Sequence, residues 1–178
     1  MPRPVTEVVT LTLQPEANAD EVISGWDDIS YHKAFEQSET DFAAAGAFLG
    51  PVITDPPFMF HVYLDPVERE RILSAPIIEV ATFFSVPKGY SDEGEKLLRI
   101  LGSFQGGLGF LHAEIVEDIA VEGINPKGIG WFNFLAWEST AQHVAAKESD
   151  AVQGSIHLIR GEGQMGEIER HYVKFTGA

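Results

Sequence analysis

The 178-residue chain contains no cysteine. Disulfide bonds, thiolate metal sites and cysteine nucleophiles are therefore all excluded. Cationic side chains are also scarce, because 12 Lys and Arg stand against 27 Asp and Glu and give a formal net charge of −15. A nucleic acid or an anionic membrane surface would repel such a protein, so neither is expected as a partner.

Long apolar runs are missing as well. No stretch approaches the roughly 20 residues that a membrane-spanning helix needs. The first residues, Met1 to Pro4, lack the apolar core of a signal peptide. Hydrophobic residues still make up 44% of the chain, which is ordinary for a globular protein with a buried core. These features predict a cytoplasmic globular protein.

One sequence pattern occurs twice. A Trp is followed directly by an acidic residue, six positions later by a His, and after six more positions by a Ser; the two copies cover 26–38 and 137–149. A strand-like segment with Glu in second place precedes each copy, and a His-containing strand pattern follows each one. These flanking segments are 6–10 and 60–63 in the first half, and 78–82 and 170–173 in the second. Matched anchors in the same order indicate an internal duplication.

The duplication divides the chain into two repeats, 1–76 and 77–178. The second repeat predicts the order β-α-β-β-α-β, which is that of ferredoxin-like folds. In the first repeat the distance from the strand Glu to the Trp is 19 residues, against 58 in the second, so 39 residues have no counterpart. The first repeat is therefore predicted to be a truncated β-β-α-β unit, because a tight turn can join two antiparallel neighbouring strands.

Periodicity and capping residues give the expected elements of both repeats. In the first repeat we expect strands at 5–13, 21–27 and 58–64 and a helix over 30–48. Its inward apolar stripe is predicted to be Tyr31, Phe35, Phe42, Ala45 and Leu49. In the second we expect strands at 77–86, 108–118, 129–137 and 167–175, and helices at 91–104 and from about 140. The last helix is predicted to turn Ala141, Val144, Ala145 and Val152 inward.

The strand TEVVTLTL, the pattern W-[DE]-[DS]-(x)3-H and the strands HVYL and HYVKF resemble the dimeric α/β-barrel superfamily. More specifically, the chain resembles fungal tandem proteins of the antibiotic-biosynthesis-monooxygenase (ABM) and stress-responsive A/B-barrel type. The resemblance covers nearly the whole chain and implies an α+β fold in which two ferredoxin-like repeats pack sheet on sheet. Relatives include cofactor-free monooxygenases, polyketide cyclases, haem-degrading monooxygenases, aldoxime dehydratases and proteins without known activity.

Two activities of that superfamily require particular residues at fixed positions on the helix that follows the strand Trp. Haem-degrading relatives carry a second Trp nine positions after the strand Trp, where this chain has Phe35 and Ala146. Plant polyketide cyclases place a Tyr there and a His six positions further, where this chain has Asp41 and Val152. Neither pattern is matched. The histidines also lack the short spacings of metal sites, so neither a cofactor nor a metal is expected.

Histidines in the last strand of each repeat are the first catalytic candidates. His61 shares a strand face with Met59 and Tyr63, and His171 shares one with Val173. Both imidazoles are predicted to point into an apolar layer, where a neutral ring can act as a general base. The alternative is a buried His that binds a backbone carbonyl. Tyr63 is a candidate because it lies on the face of His61.

Carboxylates are the second group of candidates. Glu7 and Glu79 hold matched places within apolar strands, where a buried carboxylate is costly without a partner and can serve as an acid or base. Exposure at a strand end is the alternative. His112 and Glu114 share a strand face and form a possible acid and base cluster with Glu79. The two histidines of the repeated pattern, His32 and His143, are expected to be surface or cap residues.

Aromatic side chains are predicted to line a cavity for a flat, hydrophobic ligand. The candidates for substrate binding are Trp26, Phe83, Phe110, Trp131, Phe134 and Trp137. Some of this aromatic surface is expected to belong to the core instead.

The resemblance and these residues support three hypotheses. The first is a cofactor-independent enzyme of secondary metabolism that cyclises, isomerises or eliminates on a hydrophobic polyketide-like or terpenoid-like intermediate by proton transfer. The second is a cofactor-free ABM-type monooxygenase acting on a phenol or anthrone. The third is a non-catalytic stress-response or ligand-binding protein. The expected partner is a small hydrophobic molecule, and the chain is either a monomer whose barrel forms internally or a homodimer joined through the edge that the lost strand exposes.

Overall fold

The computed structural model describes residues 4–14, 25–26, 28–55, 57–87, 89–118, 129–160 and 168–174. Contacts divide the chain into two compact units, Met1–Tyr63 and Leu64–Ala178. The segment 65–76, which the boundary predicted from the sequence assigns to the first repeat, groups with the second unit. Within the described ranges, every helix is too short or too polar to cross a bilayer.

The first unit combines a small antiparallel sheet with two helices. Its elements are β1 (Val5–Thr10), β2 (Gly25–Trp26), α1 (Ile29–Gln37), α2 (Glu39–Leu49) and β3 (Phe58–Val62). Strand β1 lies in the middle of the order β2-β1-β3. Its pairing with β3 sets Glu7 directly opposite His61. The strand predicted over 21–27 lies largely outside the described residues.

The sequence predicts a single helix over 30–48, and the structure has two. Asp28 caps α1 as predicted, because its carboxylate accepts a hydrogen bond of 2.9 Å from the backbone N–H of Ser30. Ser38 ends α1, and its hydroxyl caps α2 by accepting a bond of 3.3 Å from the N–H of Asp41. The Ser of the repeated pattern thus marks a helix break.

The predicted inward stripe of this helix is found only in part, because Phe35, Ala45 and Leu49 are half-buried. Tyr31 is 57% exposed, Phe42 is 49% exposed, and α2 buries no residue. The buried residue of α1 is His32. The rings of Phe35 and Phe42 still meet across the break at Ser38, with centroids 6.0 Å apart.

The second unit has a four-stranded antiparallel sheet with helices. Its elements are α3 (Pro66–Leu73), β4 (Ile77–Val86), α4 (Tyr90–Gly102), β5 (Gly107–Glu114), β6 (Ile129–Trp137), α5 (Thr140–Glu148), α6 (Asp150–Ser155), α7 (His157–Arg160) and β7 (Ile168–Val173). The strand order is β5-β6-β4-β7. From β4 onward this is the ferredoxin-like arrangement that the sequence predicted.

The core of the second unit lies between this sheet and the helices. Trp131 of β6 packs edge-on against Phe83 and Tyr90. Its indole N–H donates a hydrogen bond of 3.2 Å to the hydroxyl of Ser91 at the start of α4. The inward side chains of α4 are Leu97, Leu98 and Leu101, as the sequence predicted. Apolar strands with near-continuous hydrophobic runs therefore form the centre of the unit.

Helix α5 presents a different face to the sheet from the one expected. Ser139 caps it as predicted and accepts a hydrogen bond of 3.3 Å from the N–H of Gln142. Val144 is nevertheless 42% exposed, Ala141 and Ala145 are exposed as well, and the buried residues are His143 and Ala146. Of the four predicted inward residues only Val152 is buried, and it belongs to α6. Because one of the two buried residues of α5, His143, is polar, the hydrophobic pattern alone predicted the wrong inward face.

Candidate active site

A buried carboxylate and a buried imidazole meet in the second unit. Glu79 is the third residue of β4 and is only 8% exposed, and His143 on α5 is fully buried. Nε2 of His143 is 3.2 Å from a carboxylate oxygen of Glu79. Among the described residues, Nε2 has no hydrogen-bond partner. A small movement, or a ligand atom, can therefore complete a hydrogen bond at Nε2.

Tyr172 holds the other nitrogen of the imidazole. Strand pairing sets Tyr172 directly opposite Glu79, and its hydroxyl lies 2.8 Å from Nδ1 of His143. Burial raises the pKa of Tyr172, the charge of Glu79 raises it further, and Arg170 opposes the shift. The carboxylate of Glu79 favours the tautomer that carries the imidazole proton on Nε2. In that tautomer Nδ1 accepts a hydrogen bond from the phenol.

Trp137 fixes the plane of the same ring. Its indole stacks on the imidazole of His143 with centroids 5.0 Å apart and an interplanar angle of 25°. Tyr172 meets the ring edge-on at 72°. The imidazole is therefore held in one orientation by a stacked and an edge contact.

Glu79 and His143 open onto a cavity between the sheet and the helices, with a volume of about 60 Å³. Most of its lining is apolar and comes from β4, β6 and α4. The polar lining residues are Glu79, Asn133, His143, Lys147 and Arg170. A cavity that binds benzene measures about 150 Å³, so the flat polycyclic ligand expected from the sequence is larger than this space.

Only some of the aromatic residues that the sequence predicts for substrate binding line the cavity. Phe83 and Trp131 line the cavity, and Trp137 contacts His143. Phe134 is buried on the other face of β6, since its strand neighbours Asn133 and Leu135 are the ones that line the cavity. Phe110 is half-buried and stacks on His112 with centroids 6.2 Å apart. The side chain of Trp26 lies outside the described residues.

The predicted cluster of His112, Glu114 and Glu79 is not the arrangement found. Nδ1 of His112 lies 3.4 Å from the hydroxyl of Ser91, and its Nε2 lies 3.7 Å from a carboxylate oxygen of Glu95. Glu114 is exposed, and Glu79 meets His143 instead. Burial lowers the pKa of His112. The residues are on one sheet, but α4 supplies the partners of His112.

The prediction that His171 points into an apolar layer is wrong, because the side chain is exposed. Alternation along β7 explains this: Tyr172 lies opposite Glu79, so its neighbour His171 points to the other side. In the first unit the residue opposite the strand Glu is His61. Tyr172 therefore holds the strand position in the second unit that His61 holds in the first. The sequence pattern pairs His61 with His171, which is one residue earlier.

The first unit gathers a related group around Glu7. Nε2 of His32 is 2.8 Å from a carboxylate oxygen of Glu7, and Nε2 of His61 is 3.5 Å from the same oxygen. The two imidazoles tilt at 50° with centroids 4.4 Å apart. All three side chains are buried, so the predicted exposure of Glu7 at a strand end is not found. Tyr63 is half-buried just beyond β3.

Sequence reasoning missed His32 and His143 as inward residues, although the repeated pattern contains both. It also missed Lys147, Arg170 and Tyr172. The signal that can find the histidines is the pattern itself: each His is the fourth residue of the helix that follows a strand-end Trp, and a helix-breaking Ser comes six positions later. For Tyr172 the signal is the strand register, which the sequence does not display.

Comparison with known proteins identifies the fold. No family model and no curated protein matches the sequence. Among solved structures, an anthrone oxidase-like protein superposes with a TM-score of 0.61 at 12% identity, covering 98% of this chain and 93% of that one. A candidate monooxygenase from Fusobacterium nucleatum subsp. nucleatum ATCC 25586 superposes with a TM-score of 0.57 at 7% identity, covering 95% and 90%. At these identities the likeness establishes a shared fold.

Proposed function

We propose that the protein is an enzyme that moves a proton on a small hydrophobic substrate, using Glu79 and His143. The observation that carries this proposal is the pair itself: a carboxylate and an imidazole Nε2 side by side in a largely apolar cavity. Proton transfer between such groups requires no cofactor. The same site is compatible with cyclisation, isomerisation or elimination, because each begins with loss of a proton next to a carbonyl or phenol.

Glu79 is the general base in this proposal. Nδ1 of His143 is occupied by the Tyr172 phenol and Nε2 carries the ring proton, so His143 has no free acceptor and the carboxylate takes the substrate proton. The C–H bond breaks, its electron pair passes to the substrate carbonyl, and the proton goes to Glu79. Return of that proton to another atom of the substrate completes an isomerisation.

His143 stabilises the oxyanion that this step forms. Its Nε2–H lacks a hydrogen-bond partner among the described residues and can donate to the substrate oxygen. A neutral imidazole is an effective donor of this kind beside a carboxylate base. Lys147 and Arg170 also line the cavity and add positive potential, which favours the negative charge of the oxyanion. Tyr172 is a positioning residue, since it acts on the substrate only through His143.

The size of the cavity limits the substrate. At about 60 Å³ it accommodates the reacting end of a molecule, with the remainder at the mouth, or it widens by movement of α6 and α7 away from the sheet. A single-ring ketone tests the first possibility and a three-ring ketone tests the second. Acetophenone is a single-ring ketone whose exchangeable C–H bonds lie next to the carbonyl. Anthrone is a three-ring ketone whose exchangeable C–H bonds are conjugated with the carbonyl through the rings.

The experiment is proton exchange under nitrogen in D₂O, followed by ¹H NMR. We expect the parent protein to exchange the methyl protons of acetophenone or the C10 protons of anthrone faster than buffer does. E79Q is expected to lower the exchange rate by about 100- to 10,000-fold. H143F keeps the base and an aromatic ring but has no N–H to donate to the oxyanion, so it is expected to lower kcat more than it changes KM. Equal exchange by the parent and E79Q on both probes would contradict the proposal.

A second candidate function is oxidation by O₂ of the carbanion formed at the same site. It is favoured by the descriptions of the two structures that share the fold, a candidate monooxygenase and an anthrone oxidase-like protein. Anthrone plus O₂ gives anthraquinone plus water, and the first event is again loss of a proton. Quinone absorbance and O₂ uptake in air, measured on the same protein, separate this function from simple exchange. A protein that binds the probes without either reaction would be the non-catalytic alternative.

We further propose that the two units arose by duplication, in a fungal protein of secondary metabolism acting in the cytoplasm. The duplication is supported by the matched geometry of Glu7 with His32 and of Glu79 with His143, together with the paired helix breaks at Ser38 and Ser149. The fungal origin and the role in secondary metabolism rest on the resemblance of the sequence to fungal tandem proteins. A monomer whose barrel is internal and a homodimer are both compatible with this origin. Sedimentation equilibrium distinguishes them.

A further inference from the structure

The three buried side chains of the first unit come from three different elements. Glu7 lies on β1, His32 on α1 and His61 on β3, and they are 6%, 3% and 4% exposed. One ligand atom from each, a carboxylate oxygen or a ring nitrogen, lies within 4.8 Å of the other two. No other group of three or more histidine and acidic side chains in the described ranges gathers this closely.

The spacing of these atoms suits a common metal ion. Bonds from zinc to His nitrogen and carboxylate oxygen are about 2.0 to 2.2 Å, so two neighbouring ligands of one ion are separated by roughly 2.8 to 3.6 Å across octahedral and tetrahedral geometries. The distances from the Glu7 oxygen to Nε2 of His32 and of His61 are 2.8 and 3.5 Å. Nε2 of each imidazole therefore faces the same carboxylate oxygen of Glu7.

We propose that Glu7, His32 and His61 bind one divalent transition-metal ion, such as Zn²⁺, Co²⁺ or Fe²⁺. Two imidazoles and one carboxylate form a donor set that these ions favour over Mg²⁺ or Ca²⁺, which prefer oxygen. Three protein ligands leave at least one coordination position for water or a ligand. This site is separate from the one in the second unit and does not depend on its proposed function.

The second unit provides an internal contrast. There the residue opposite the strand Glu is Tyr172, and its hydroxyl lies on Nδ1 of His143, away from Glu79. The second unit therefore brings one carboxylate and one imidazole together, where the first unit brings together a carboxylate and two imidazoles. Replacement of the second His by Tyr thus predicts one metal ion per chain instead of two.

The test uses full-length protein stripped with EDTA and then titrated with Co²⁺ and, separately, Zn²⁺. We expect one Co²⁺ per chain with visible d–d absorption, and native mass spectrometry is expected to show one Zn²⁺ per chain. E7Q and H61Q are expected to weaken binding at least about 100-fold, because loss of a ligand exceeds the loss of an outer-shell partner. H171Q removes an exposed His by the same change and is expected to bind as the parent does.

Folding of the variants is checked by circular dichroism without metal. Zn²⁺ is expected to raise the Tm of the parent and of H171Q but not of E7Q, since an ion that binds only the folded state stabilises it. The proposal is overturned if the parent takes up no Co²⁺ or Zn²⁺ at one equivalent. It is equally overturned if E7Q and H61Q bind as tightly as the parent, or if H171Q loses binding as they do.

Discussion

The hydroxyl of Tyr172 and Nδ1 of His143 lie 2.8 Å apart, and the two rings meet edge-on. Tyr172 is on the strand that pairs with β4, whereas His143 is on a helix packed across the sheet. The contact therefore ties α5 to β7 at the point where Glu79 lies. Since Trp137 stacks on the same imidazole, the ring cannot turn its Nε2 away from Glu79 without losing one of these contacts.

The first prediction is that Y172F weakens both stability and proton transfer. Loss of one hydrogen bond is expected to lower the free energy of unfolding by about 0.5 to 1.5 kcal/mol, towards the lower end because Tyr172 is 45% exposed. Exchange of acetophenone protons is expected to slow, because the imidazole is no longer held. Urea unfolding and the NMR exchange assay measure the two effects.

Y31F is the matched control for this change. Tyr31 is an exposed tyrosine of α1, and removal of its hydroxyl is expected to change stability by less than about 0.5 kcal/mol. If Y172F behaves like Y31F in both assays, the phenol does not position His143.

The sequence predicts the centre of the second unit well. Strands 77–86 and 129–137 have the expected bounds because their apolar runs are long and end at turn or cap residues. It cannot predict which side chain of β7 meets Glu79, because a shift of one residue exchanges the two faces of a strand. His171 and Tyr172 are both plausible inward residues on pattern alone, and only the pairing with β4 decides between them.

Hydrophobic periodicity fails for a different reason in α5 and α1. Helix α5 buries His143 and helix α1 buries His32. A prediction based on hydrophobicity places a histidine-bearing face towards solvent, so it selects the wrong face in both helices. The buried histidines are stable because a carboxylate from the neighbouring strand meets each of them. That partner becomes known only when helix and strand are packed together, so the candidate site was less predictable than the fold.

The second prediction concerns the close approach of α4 to β6. A Cβ at Gly94 would lie 2.8 Å from ring carbons of Trp131, and Trp131 is buried. G94A is therefore expected to destabilise the protein by about 1 to 3 kcal/mol, as other overpacked cores do. It is also expected to reduce binding of acetophenone, since Gly94 lines the cavity. Urea unfolding and NMR line broadening of the probe measure these effects.

G46A is the control for helix propensity. Gly46 lies inside α2, and a Cβ added there would meet nothing within 4 Å. Ala is favoured over Gly in a helix interior by about 0.5 to 1 kcal/mol, so G46A is expected to stabilise the protein. A stabilising G94A would mean that α4 and Trp131 are further apart than the structure places them.

The third prediction tests the helix break of the repeated pattern. The hydroxyl of Ser149 accepts a hydrogen bond of 3.3 Å from the N–H of Val152 and so caps α6. S149A is expected to cost about 1 kcal/mol. S155A is the control, because the hydroxyl of Ser155 only donates back to the carbonyl of Ala151 and caps no helix start. Equal free energies of unfolding for the two variants would contradict a capping role.

The fourth prediction is a pH dependence of stability that comes from His112. Its pKa is lowered from the ordinary 6.5, first by burial and then by Arg99, while Glu95 and Asp92 oppose the shift. The unfolded chain therefore binds a proton more readily than the folded one. The stabilising contribution is fully present above about pH 6.5, is lost as the pH falls from there to the folded pKa, and is constant below it.

H112Q removes this titration without adding a charge. Urea unfolding of the parent and of H112Q at several values from pH 7.5 to pH 5 is expected to give a smaller slope of free energy against pH for the variant. H171Q makes the same replacement at an exposed histidine and shows how much of the change comes from losing any imidazole. A slope in H112Q as steep as in H171Q would mean that burial between Ser91 and Trp131 does not favour the neutral ring.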